Sequence, residues 1–192
     1  MSLTALQIEK NTRKYFETGI KYGFINDKLT ELLSHDLLKA PASPLESQYM
    51  AYEGGLIEHL LKVTTYAIPI NDGLPAEDKV DKGSLIKVCL LHQIGKVKLF
   101  IPNESEWHRK NQGKLFEYNQ DLVSMRVSER SILYAMNSGI QFTDEEFAAI
   151  INFDKIDDKQ AEYHNSQLGE ILKSANKFAI NNTLNKRKTN AQ

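Results

Sequence analysis

Apolar residues recur along most of this chain with a helical period. Leu29, Leu32, Leu33 and Leu37 fall on one face of residues 28–39. Asn26-Asp27 stands ahead of them as an N-cap, and Ala40-Pro41 follows as a stop. Leu56, Leu60, Val63 and Ala67 sit at i, i+4, i+7 and i+11, behind the opening pair Gly54-Gly55. Pro69, Asn71-Asp72-Gly73 and Pro75 are expected to close that helix. A further helix is expected over about 81–93, with Leu85, Val88, Cys89 and His92 on one face and Gly95 ending it. Leu3, Leu6, Ile8, Tyr15 and Phe16 outline a first helix of rougher periodicity. Helical patterns return at about 122–137, 143–152 and 163–181, and Thr143-Asp144-Glu145-Glu146 is a capping-box sequence.

The period changes between residues 97 and 119. Val97, Leu99 and Ile101 alternate, residues 111–113 signal a turn, and Leu115, Phe116 and Tyr118 follow. This predicts a hairpin-like insert in an otherwise all-α fold. Residues 41–53 read as a connecting loop. The division expected is a pair of N-terminal helices (1–40) packed on a core domain (41–181), then a polar, frayed tail (182–192) carrying Lys186-Arg187-Lys188.

Composition narrows the function classes. The chain has 192 residues, a formal net charge of −1, 41% hydrophobic residues and one Cys. Near-neutrality argues against a dedicated duplex-binding protein. One Cys makes neither an internal disulfide nor a Cys-based zinc site. Residues 86–91 are apolar but too short to span a bilayer, and residues 1–14 lack a signal-peptide pattern. An intracellular protein is the expectation.

Two histidines draw attention. His92 continues the Leu85/Cys89 stripe, and His59 lies one position off the Leu56/Leu60 stripe. Periodicity alone reads both as core histidines with satisfied hydrogen bonds, since an unpaired buried polar group costs about 1–3 kcal/mol. Their flanks add more. Ala51-Tyr52-Glu53-Gly54-Gly55-Leu56-Ile57-Glu58-His59 resembles the first motif of HD-domain proteins. Leu90-Leu91-His92-Gln93-Ile94-Gly95-Lys96 resembles the second, ordinarily Leu-His-Asp-Ile-Gly-Lys. The likeness runs over about residues 40–180, through Trp107, Ser128-Glu129-Arg130-Ser131 and the Thr143 helix, and is to a subfamily common in Firmicutes and phages.

That resemblance implies an all-α bundle whose active members are divalent-metal phosphohydrolases, with His and Asp ligands polarising phosphate and activating water. The residue-by-residue match is incomplete. His59 and His92 stand at ligand positions, but Gln93 fills the Asp of the pair and Asn176 the late Asp. Tyr49, Val127 and Phe153 stand where further histidines are aligned, while Glu129 and Ser131 are kept. Two carboxylates have become amides, so the expected metal is none, or zinc or nickel held weakly by His59 and His92. Asp154, Asp157 and Asp158 are alternative acids, more simply read as a solvated turn.

Three functions follow from the resemblance. The first is a non-catalytic structural or protein-interaction role, in a homo-oligomer or a larger assembly, including a phage particle. The second is metal-free binding of a nucleotide or other phosphate ligand. Lys96, Arg126, Arg130, His108 and Arg109 would supply charge there, and Trp107 and Phe116 stacking faces. The third is a surviving metal-dependent hydrolase.

Overall fold

A computed structural model describes residues 3–154 and 166–189. The described residues form helices α1 (Ala5–Lys21), α2 (Asp27–Lys39), α3 (Gly55–Asp72) and α4 (Lys82–Leu91). Then come β1 (Phe100–Pro102), α5 (Glu106–Gln112), β2 (Phe116–Tyr118), α6 (Val127–Asn137), α7 (Asp144–Ile151) and α8 (Gln167–Thr189). The fold is mostly helical, with β1 and β2 forming one small antiparallel sheet.

Side-chain oxygens start several helices as the sequence predicts. Asn26 accepts from the Leu29 amide at 2.9 Å, and its own amide donates to the Ser138 carbonyl, tying α2 to the end of α6. Thr143 and Glu146 complete a reciprocal capping box on α7. Glu146 is buried and pairs with Lys87 of α4 at 2.5 Å, so the same cap also joins two helices.

α3 lies at the centre and packs against α1, α4 and α8. Its stripe Leu56, Leu60, Val63 and Ala67 is fully buried, beside Leu85 and Leu90 of α4 and Leu172 and Ala175 of α8. Burying each large aliphatic side chain contributes about 1.5–3 kcal/mol. Tyr15 of α1 is also fully buried, and its hydroxyl donates to the Leu90 carbonyl at 3.1 Å.

α3 ends at Asp72, within its Asn71-Asp72-Gly73 closing signal, and buried Asn71 exchanges two hydrogen bonds with Val80 there. Three features differ from the sequence reading. The insert is not a simple hairpin. Ser105 caps α5 between the strands, and Gly113, in the left-handed region at φ 60°, ends it. The alternating stretch concealed a helix of only two turns, too short to show a period. α6 begins at Val127, five residues later than the hydrophobic run at 122 suggests. α8 continues through the polar segment to Thr189 instead of stopping at Asn181, and Lys62 of α3 donates to Thr183 at 2.7 Å. No described helix is long and apolar enough to cross a membrane.

Candidate functional site

α3 and the turn after α4 bring the two histidines together. Gly55 begins α3 against the preceding loop; a Cβ there would stand 2.2 Å from the Met50 carbonyl oxygen. His59, one turn later, is fully buried and reaches α8, where its Nε2–H donates to Asn176 Oδ1 at 2.8 Å. His92 caps the C-terminus of α4, fully buried, with Nδ1–H donating to the Cys89 carbonyl at 2.9 Å. The two ring centroids are 6.3 Å apart. Tyr49 stacks obliquely on His59 at 4.7 Å, and Phe153 meets His92 edge-on at 4.5 Å. Positions 49, 59, 92, 153 and 176, far apart in sequence, therefore share one centre.

Those hydrogen bonds fix both tautomers, since each partner is a carbonyl oxygen that only accepts. His59 Nδ1, His92 Nε2 and the side-chain oxygen of Gln93 are left as buried acceptors without a donor among the described residues. Both rings are neutral. Burial lowers the His92 pKa to about 3, opposed by the Cys89 carbonyl and reinforced by the nearby Lys96 ammonium. Burial, then Lys96 and His92, hold His59 well below the ordinary imidazole range, against the pull of its bond to Asn176. Burial also pushes the Cys89 thiol up, which makes it an inert core group.

This donor set does not fit a hard divalent ion. It offers two uncharged imidazoles and two amides, and Asn176 already occupies His59 Nε2. No three His, Cys, Asp or Glu side chains among the described residues group to hold an ion. Asp157 and Asp158 lie outside the described residues. Asp154 instead accepts from the Ser128 amide at 3.0 Å and the Ser128 hydroxyl at 2.6 Å, capping α6, and stands 3.6 Å from Arg126. It is a structural cap and not a solvated turn.

A cleft of about 700 Å³ opens beside this centre, and Tyr49 and Lys96 belong to both. Lys96 Nζ donates to the Tyr49 hydroxyl at 2.9 Å and the Ala42 carbonyl at 2.6 Å. Arg126 and Arg130 also line the cleft, as do Phe100 and Tyr118 of the insert. Trp107 and Arg109 do not. Both are exposed on α5, and residues 44–46 fasten the insert through Pro44–Phe116 and Glu46–Gly113 backbone bonds that leave α5 outside. Phe116 is buried as packing, and His108 stays on α5 away from the cleft. Lys96, Arg126 and Arg130 thus line one cleft, while Trp107 and Arg109 face solvent.

The approach of α6 to the Ile94–Lys96 turn positions these cations. A Cβ on Gly95 would stand 2.3 Å from the Val127 carbonyl oxygen, so only glycine allows the contact. The Gly95 amide donates to Ser131 Oγ at 2.9 Å, and that hydroxyl faces the His92 and Val127 carbonyls. Ser131 thus joins the histidine turn to α6. The Gly-Lys and Ser-Glu-Arg-Ser segments carried its only sequence signal.

No family model matches this chain, and neither a curated protein nor a solved structure was found to match it.

Proposed function

We propose that the chain is an HD-like domain with a degenerate metal centre, and that it acts without catalysis in a structural or protein-interaction role. The reading is supported above all by Asn176, whose amide oxygen holds His59 Nε2 at an aligned carboxylate position. Gln93 makes the same exchange beside His92. Neutral hydrogen bonds there replace the charge a metal requires, and such replacement need not unfold a protein. The buried α3, α4 and α8 interface survives the exchange, so the domain remains available as a scaffold for a second copy or another protein.

Turnover of phosphomonoesters and phosphodiesters with Mg, Mn, Ni or Zn is the direct test. No turnover above background is expected with any of them. Metal-dependent turnover abolished by both His59→Ala and His92→Ala would instead establish the surviving hydrolase. Sedimentation of the purified chain, alone and with candidate partners, then tests the interaction role; a strictly monomeric chain that joins no assembly would count against it.

A second reading, metal-free binding of a phosphate-bearing ligand, is supported by the cleft. Lys96, Arg126 and Arg130 line it, and none of its described lining residues is acidic.

A further inference from the structure

We propose that Arg130 and Lys96, which both line the cleft, form an oxyanion subsite there, which takes the tetrahedral anionic head of a small organic ester. The inference rests on the ligand-binding reading and gives it residues and chemistry. Its motive is a buried charge without a counter-ion. Arg130 is 5% exposed, yet its guanidinium makes one hydrogen bond among the described residues, from Nη2 to the Val123 carbonyl at 2.5 Å. Its Nε is buried with no partner among them. No carboxylate among the described residues pairs with it.

Several described cations do have a carboxylate partner. Lys87 pairs with Glu146, Lys98 with Asp36, and Arg126 with both Glu129 and Asp154. Lys96, at the same cleft as Arg130, has no such partner, for its two bonds go to neutral oxygens. Buried charges in proteins are ordinarily paired, because an unpaired one is costly to remove from water. Here the Gly95 contact with α6 brings the turn bearing Lys96 against the segment bearing Arg130. The two histidines beside Lys96 are neutral and offer no compensation.

An oxyanion satisfies both groups. A guanidinium offers charge-assisted N–H donors to the oxygens of a phosphate, and an ammonium adds a point charge. The cleft is larger than the anion alone needs and lies within the range of small-molecule sites. Phe100 and Tyr118, 5.2 Å apart, form an aromatic wall for the organic part. Cations replace a metal ion in holding the anion, and no bond is broken.

Calorimetry on the full chain at fixed ionic strength tests this with three probes: inorganic phosphate, inorganic sulfate and phenyl phosphate. Saturable, EDTA-insensitive binding at one site is expected. Phenyl phosphate should bind more tightly than the free ions, which separates an ester from a bare anion. Arg130→Met and Lys96→Met should each weaken phenyl phosphate by about tenfold or more, the scale of losing a hydrogen bond to a charged group. Arg126→Met, whose charge is already paired, should change affinity far less. Unfolding midpoints are read on each variant. If Arg130→Met does not fold, Lys96→Met and Arg130→Lys carry the comparison, and unchanged affinity in both overturns the proposal. So does absence of saturable binding to the wild type, free ions binding as tightly as the ester, or a larger loss in Arg126→Met than in Lys96→Met. Such failures leave the non-catalytic reading standing, since that falls only to metal-dependent turnover.

Discussion

Acidification should destabilise this protein through its two buried histidines before ordinary carboxylates begin to titrate. His92 has a folded pKa of about 3, against about 6.5 in an unfolded chain. Between those values the unfolded state binds more protons, so stability falls as pH falls. At pH 5 the lost stability is about RT ln(1 + 10^1.5), or about 2 kcal/mol, relative to pH 8. The His92 share alone is a large part of the 5–15 kcal/mol typical of a domain. His59, held well below the ordinary range by burial, adds to the loss in the same direction. Urea denaturation at pH 8, 7, 6 and 5, followed by circular dichroism, measures it. Two variants assign the effect. His92→Asn keeps a donor where Nδ1 meets the Cys89 carbonyl, and His59→Gln keeps one where Nε2 meets Asn176. Each should flatten the pH dependence, with His92→Asn removing about 2 kcal/mol of it between pH 8 and 5. A wild-type stability that is flat from pH 8 to 5, or variants that retain the full slope, would refute the buried neutral imidazoles.

Gly95→Ala should lower stability by about 1–3 kcal/mol, because its Cβ meets the fixed backbone of α6 at Val127. Thermal melting should show this as a fall of several degrees. Asp154→Ala removes the acceptor for both Ser128 donors and should cost about 1 kcal/mol, read from the urea midpoint at constant m. The double change Gln93→Asp with Asn176→Asp should lower the melting temperature without metal, since it buries uncompensated carboxylates. It should also give a Zn- or Mn-dependent rise in melting temperature that the wild type lacks; an equal rise in the wild type would show that the amide set binds metal after all.

Local order alone determined much of the helical frame. Asn26 and Thr143 cap helices where the sequence places them. The leucines at 29, 33 and 37 and the stripe from Leu56 to Ala67 are buried as their 3.6-residue period requires. Both rest on interactions within a few residues, which a linear pattern records. The start of α6, the end of α8 and the short α5 escaped it. For α8 and the insert, the partners lie in other elements: Lys62 for Thr183, and residues 44–46 for the strands around α5.

The site divides in the same way. That His59, His92, Gln93 and Asn176 are notable residues was legible from their motifs. Only the packed bundle decided that Asn176 meets His59 across 117 positions and that burial makes both rings neutral. Residue types placed Lys96 and Arg130 among the candidates, with Trp107 and Arg109 beside them. The tertiary structure separated the pairs, turning α5 outward and setting Lys96 and Arg130 in a cleft without described acids. Charge, once buried, takes its meaning from its neighbours, and for Lys96 and Arg130 those neighbours come from distant parts of the chain.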